Sequence, residues 1–412
     1  MIGIVSSTSD DTTFNPADVV NLADGDDTFQ LRMIAENGAN VSSAGRSVQG
    51  TETLDIRTVF AGDSATEKEA SVNTGDFSDL TGVLISDLRS DAQVAGDDSD
   101  TLTVNGLESD ESLTIAAADS DHNVRFSGAP NDEITLEGAA VDTLQPSVNG
   151  VSGTLTINSE GSSNSIGTLD LGSGALGGTS SANATGLTLL GAADFSASVD
   201  NFSGASSDDI VVDGLEATGD LSLTLNTDDR FTVTSGDGND TLFHDLVDGA
   251  DNLSSDFTAS GIETHIVAAA AASGSTVDAE NITGATAVGT SDDANSVTFE
   301  NVAAGANVLA RGDGAADGDG IDDDFSLTGD NDTVSDIGAI QVDIAGSSAA
   351  TEASTVTVNN SGVELGIRNV DGDPRVIEAG AITVNNTTGI DVVVEDGDAT
   401  LTSVSGDEAT SI

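Results

Sequence analysis

The chain has no cysteine, no tryptophan, no tyrosine, only four prolines and, among 412 residues, a single lysine, Lys68. Each shortage removes a class of function. Without cysteine there is no disulfide scaffold, zinc-thiolate centre, iron-sulfur cluster or thiol nucleophile. Ten Lys+Arg stand against 72 Asp+Glu, a formal net charge of −62. The clustered basic side chains that grip a phosphate backbone are therefore missing, and no nucleic-acid partner is expected. The same charge disfavours docking on an anionic bilayer. The longest apolar run, Ile266 to Ala272, falls far short of a membrane span, so no membrane insertion is expected either.

Other absences bear on catalysis. Three histidines, His122, His244 and His265, are scattered too widely to suggest a zinc site, and nothing resembles a nucleophile elbow among the many Ser and Asp residues. Paired-carboxylate glycosidases work beside aromatic platforms, which a chain without Trp or Tyr lacks. The expectation is that the protein is not an enzyme. The segment Met1-Ile2-Gly3-Ile4-Val5-Ser6-Ser7 has neither the basic n-region nor the apolar core of a secretory signal peptide.

What is present is a rhythm. Apolar residues make up 37% of the chain and arrive in short pulses, which argues for a folded chain over an acidic disordered one. Thr101-Leu102-Thr103-Val104, Ser112-Leu113-Thr114-Ile115, Asn123-Val124-Arg125-Phe126, Glu133-Ile134-Thr135-Leu136, Asp142-Thr143-Leu144 and Gly153-Thr154-Leu155-Thr156-Ile157 each alternate apolar and small polar residues. Such alternation, rich in Thr and Val, is that of a half-buried strand. The apolar positions 102, 113, 124, 134, 144 and 155 recur about every ten to eleven residues, and the rhythm returns at 209–243 and 354–401. Helical periodicity is scarce, Ala268 to Ala272 being the one stretch to consider.

Two all-β architectures fit: a β-solenoid resembling a parallel β-helix, or tandem β-sandwich modules. A sandwich core about 10 Å thick is usually filled with larger side chains, many aromatic. A solenoid needs only stacked Leu, Ile, Val and Ala, each coil touching its neighbours. With 12 Phe as its only aromatics, the chain is expected to be a solenoid. Three regions are expected: 1–95, a β-rich assembly or anchoring region; 96–310, the central solenoid; and 311–412, a C-terminal β-rich region. The Gly/Ser/Ala-rich stretch from Gly172 to Thr185 could serve as a linker or as tight corners.

With sulfur absent and imidazole scarce, the metal chemistry open to the chain is that of hard, oxygen-loving cations. Asp outnumbers Glu, 54 to 18, and clusters with Gly and Asn at turns, where short carboxylates suit either calcium or Asx turns. The sharpest local pattern is Ser235-Gly236-Asp237-Gly238-Asn239-Asp240-Thr241-Leu242-Phe243. Glycines let the turn aim carbonyl oxygens inward, Asp supplies a carboxylate, and the following apolar residue enters the core. Related segments are Asp24-Gly25-Asp26-Asp27-Thr28-Phe29, Gly96-Asp97-Asp98-Ser99-Asp100-Thr101-Leu102 and Gly329-Asp330-Asn331-Asp332-Thr333-Val334; Asp317, Asp319 and Asp322 lie in a separate acidic run. The candidate calcium ligands are therefore Gly236, Asp237, Gly238, Asn239, Asp240, Asp24, Asp26, Asp27, Asp97, Asp98, Asp100, Asp317, Asp319, Asp322, Asp330 and Asp332.

The segment 235–243 resembles the calcium-binding nonapeptide of RTX proteins, Gly-Gly-x-Gly-x-Asp-x-U-x with U a large apolar residue, departing at Ser235. Gly261-Ile262-Glu263-Thr264-His265-Ile266-Val267, Thr51-Glu52-Thr53-Leu54-Asp55-Ile56 and Thr383-Val384-Asn385-Asn386-Thr387-Thr388-Gly389-Ile390-Asp391-Val392 look like the repeat phrases of RTX-type bacterial surface-layer and other type I-secreted surface proteins. That resemblance implies a calcium-dependent β-solenoid outside the cell, assembling with its own copies into a lattice or filament at the cell surface. A cell-surface polysaccharide is a second implied partner. The alternative is an RTX-like adhesin or fibre module that binds a cell-surface ligand.

Overall fold

The structure, a computed structural model, describes residues 1–7, 12–22, 25–36, 39–61, 68–90, 100–108, 111–118, 122–128, 133–146, 152–171, 183–200, 210–226, 231–245, 257–269, 275–290, 297–303, 306–310, 333–337, 340–344, 353–359, 376–385, 389–395 and 398–406. It is a β-solenoid. Two 3-10 turns, Thr74–Asp76 and Ala279–Asn281, are the helical elements among the described residues. The chain forms two compact units, Met1–Asp220 and Leu221–Ile412. The boundaries expected near residues 95 and 310 adjoin 91–99 and 311–332, which lie outside the described residues.

In Met1–Asp220 two parallel sheets grow together. The first runs through Ile2–Ser6, Thr28–Glu36, Thr53–Ala61, Gly82–Ser90, Ser112–Ile115, Glu133–Glu137, Ser152–Glu160, Asn183–Gly191 and Ile210–Ala217. The second runs through Val41–Ser42, Glu69–Asn73, Asp100–Leu107, His122–Gly128, Ala140–Pro146, Asn164–Asp170 and Phe195–Asp200. Parallel neighbours need a crossover of a dozen or more residues, usually a helix. Here the crossover is a strand of the opposite sheet.

That arrangement explains the ten-residue rhythm, which is half a coil. Leu102, Val124 and Leu144 stack on one sheet, while Leu113, Ile134 and Ile157 stack on the other. Leu155 points inward from the same strand as Ile157 and pairs with Leu187 instead. Two inner columns result. Phe29, Leu54, Val83, Leu113, Ile134, Ile157 and Leu189 follow one another in register, as do Ala70, Leu102, Val124, Leu144, Leu169 and Val199. All are buried. Each fully buried Leu or Ile contributes about 1.5–3 kcal/mol of hydrophobic stabilisation. The strand Thr28–Glu36 shows the alternation, with Phe29, Leu31, Met33 and Ala35 inward and Thr28 and Arg32 exposed. Phe60 from the first sheet meets His122 from the second at 5.4 Å between ring centroids, so the sheets face one another across the core.

In Leu221–Ile412 one parallel sheet runs through Leu221–Asn226, Thr241–Asp245, Thr264–Ala269, Ala287–Thr290, Asn307–Ala310, Ala353–Asn359 and Gly389–Glu395. A second holds Phe231–Ser235, Phe257–Ser260 and Ile282–Thr283. A third holds Ser275–Asp278, Val297–Val302, Ile340–Ile344 and Val376–Asn385, with Thr333–Ile337 and Asp398–Gly406 both on the last of these. The Ala-rich stretch considered for a helix is strand over Thr264–Ala269, while residues 270–272 lie outside the described set. Several strands run longer than the three- to five-residue pulses visible in the sequence, reaching nine residues at Thr53–Ala61 and ten at Val376–Asn385.

Candidate functional site

The best-patterned turn, 235–243, is the corner between the strands Phe231–Ser235 and Thr241–Asp245. Asp237, Gly238 and Asn239 are exposed, whereas Asp240, at the foot of the second strand, is 0% exposed. Its Oδ1 accepts the backbone N–H of Leu221 at 2.8 Å, its own N–H donates to Glu263 Oε2 at 2.8 Å, and its carbonyl accepts from the N–H groups of Glu263 and Thr264 at 3.1 and 3.0 Å. The buried carboxylate is thus a backbone acceptor at a coil corner.

The same geometry recurs at Asp27, which is half-buried. Its N–H donates to Glu52 Oε2 at 2.7 Å, and its carbonyl accepts from the N–H groups of Glu52 and Thr53, both at 3.1 Å. The ladder continues one coil further in both places. The Glu52 carbonyl accepts from Thr81 N–H (2.8 Å), Thr81 Oγ1 (3.0 Å) and Gly82 N–H (3.1 Å). The Glu263 carbonyl accepts from Thr286 N–H (2.9 Å), Thr286 Oγ1 (3.2 Å) and Ala287 N–H (3.0 Å). The Asp-Thr and Glu-Thr phrases, each followed by a buried residue, are therefore consecutive floors of a corner ladder in each place.

A general rule underlies it. The residue just before a strand, or the one that opens it, carries an acceptor side chain that takes the N–H of its register partner one coil earlier: Asp240 from Leu221, Glu263 from Asp240, Glu52 from Asp27, Asn164 from Ala139 and Asp100 from Lys68, at sequence separations of 19, 23, 25, 25 and 32. At a corner the regular strand-to-strand bonding has not yet begun, and a buried N–H without a partner is costly. A carboxylate acceptor makes the stronger, charge-assisted bond. Gly261 completes the corner: with φ +81° and a built Cβ only 2.6 Å from the Ser235 carbonyl oxygen, the position excludes any side chain.

Among the other expected ligands, Asp26 is exposed and Asp100 is buried, its carboxylate taken by Lys68. Asp24, Asp97, Asp98, Asp317, Asp319, Asp322, Asp330 and Asp332 lie outside the described residues. Among the described residues, no group of three or more His, Cys, Asp or Glu is gathered where it could hold a metal ion. In 235–243 the one buried carboxylate, that of Asp240, is already engaged by the Leu221 N–H and lies beside Glu263.

The histidines are core residues. His122 stacks on Phe60 at an interplanar angle of 23°, His265 stacks on Phe257 at 5.5 Å and 20°, and His244 lies 5.1 Å from Phe257 and 5.9 Å from His265. Burial, then the neighbouring His244, pushes the His265 pKa down to about 3. Glu52, Glu263 and Asn164 were not among the expected site residues; the signal that marks them is an acid or amide immediately before a Thr or Ser at the start of a strand, one coil from a similar phrase. No protein-family model, no curated protein and no solved structure matches the chain.

Proposed function

We propose that this chain is a self-assembling extracellular structural protein, a surface-layer subunit or surface-filament protomer, with calcium as its bridging counter-ion. The observation that carries the reading is the pairing of a repetitive solenoid scaffold with a large carboxylate surplus. Inward positions are spent on stacked apolar columns and corner acids on backbone caps. The exposed acids, Asp26, Asp79, Glu137, Glu160 and Asp237 among them, serve neither task. Subunits of net charge −62 repel one another, and divalent ions shared between carboxylates of neighbouring copies convert that repulsion into cross-links. On this reading calcium acts chiefly between subunits, and assembly follows its concentration. Contacts that do not close on themselves give sheets or filaments. A cell-surface polysaccharide remains the proposed anchoring partner.

The test is removal of calcium with EGTA, followed by negative-stain microscopy and circular dichroism. Ordered arrays should dissolve while the β-signal persists. Arrays that survive unchanged overturn the calcium role, and a chain that stays monomeric at high concentration with calcium present overturns assembly.

A further inference from the structure

The first strand of a parallel solenoid has a free edge, with every second N–H and C=O facing away from its neighbour and able to template another chain. In Ile2–Ser6 the inner side pairs with Thr28–Glu36, and Ser7 N–H continues that side to Ile34 at 2.9 Å. The outward groups are those of Ile2, Ile4 and Ser6, and the last two residues are covered by the segment 12–14. Thr13 Oγ1 accepts Ile4 N–H at 3.1 Å. Thr12 Oγ1 accepts Ser6 N–H and donates to the Ser6 carbonyl, both at 3.1 Å. The Ile4 carbonyl accepts from the N–H groups of Thr13 and Phe14 at 2.9 and 3.0 Å.

The segment is anchored as well as laid across. Phe14 is buried, its ring 5.3 Å from Phe29, which lies 5.8 Å from Phe77. Gly3 sits over this stack so tightly that a Cβ there would lie 2.8 Å from Phe29 Cζ. Arg46 holds the Phe14 carbonyl through Nε at 2.6 Å, with its guanidinium 5.5 Å above the Phe14 ring, while Nη1 donates to Ser42 O at 2.8 Å. Ala17 N–H donates to Gly45 O at 2.7 Å, and Val19–Asn21 then pairs with Ser47–Gln49.

We propose that residues 12–14 are a built-in stop that keeps a second copy of this chain from adding a strand to the edge of Ile2–Ser6. Growth by strand addition is blocked along Ile4 to Ser6, so contacts between copies use other surfaces. The stop is independent of the assembly reading, since an isolated protomer needs the same protection.

The test is Thr12→Val with Thr13→Val, which keeps β-branched shape and removes both hydroxyls, compared with Thr12→Ser plus Thr13→Ser, which keeps them. All are studied in EGTA by sedimentation velocity. The valine pair should associate with rising concentration, while the serine pair and the unaltered protein stay alike. A folded valine pair that sediments like the unaltered protein overturns the stop. Amide exchange on the unaltered protein gives a readout that survives misfolding of the variant: Ile4 and Ser6 amides should exchange about a hundredfold or more slower than coil amides, and coil-like exchange overturns the proposal. Failure of arrays to form with calcium bears only on the assembly reading.

Discussion

Lys68 Nζ lies 3.3 Å from Asp100 Oδ2, with the two side chains 1% and 0% exposed. The only lysine of a chain carrying 72 acids is thus withdrawn from solvent and spent on one aspartate. The pair is doubly joined, since Lys68 N–H also donates to Asp100 Oδ1 at 2.8 Å. Breaking such a pair from one side leaves an uncompensated buried charge, at a cost of about 3–5 kcal/mol. Lys68→Met should therefore lower the urea midpoint of Met1–Asp220 strongly. Lys68→Met with Asp100→Asn should recover most of the loss, because the amide oxygen still accepts the backbone N–H. Equal destabilisation by the single and double variants would refute this account of the pair.

The corner ladder makes a prediction in each unit. Glu263→Ala removes the acceptor for Asp240 N–H, and Glu52→Ala does the same to Asp27 N–H. Each should cost about 1–3 kcal/mol, the penalty for a stranded buried amide. The Gln variants, which keep an acceptor oxygen, should cost less than about 1 kcal/mol. Denaturation followed by circular dichroism decides it, and indistinguishable Ala and Gln variants would refute the ladder.

Acid should weaken Leu221–Ile412 through His265. Its folded pKa of about 3 lies below the ordinary value of 6.5, so the folded state keeps the ring neutral while the unfolded chain protonates it. The stabilising contribution is fully present above pH 6.5 and is lost as the pH falls from 6.5 towards 3, by at most about 1.4 kcal/mol per pH unit. The other rings packed here are those of Phe257 and the titratable His244. Among the described residues neither His265 nitrogen has a hydrogen-bond partner, so His265→Leu should raise stability at pH 7 and flatten the pH dependence between 6 and 4. An unchanged slope would rule out this residue as its source.

The solenoid was legible because inward and outward positions alternate along strands such as Ser112–Ile115 and Thr28–Glu36, with Leu113 and Ile115 turned inward in the first. The rhythm alone could not show which pulses share a sheet, since a half coil of ten residues repeats identically in both. The pairing of Leu102 with Val124, rather than Leu113, is a tertiary choice. The turn at 235–243 was legible as special, yet its acids read alike in sequence. Burial separates them: Asp240 enters the corner and Asp237 does not. The Lys68 to Asp100 pairing spans 32 residues with no local signal.

That division of labour gives a test that separates structural from ionic roles at one turn. Asp240→Asn keeps an oxygen for Leu221 N–H and should fold with little loss, whereas Asp240→Ala should cost about 1–3 kcal/mol in EGTA and in calcium alike. Asp237→Asn, at an exposed position, should leave stability within about 0.5 kcal/mol of the parent. If its carboxylate shares calcium with a neighbouring copy, that variant should need more calcium to form arrays. The readouts are urea midpoints for folding and calcium-titrated light scattering for assembly. A calcium-dependent stability loss in Asp240→Ala would show that the buried carboxylate binds the ion itself and that its role as a corner acceptor is secondary.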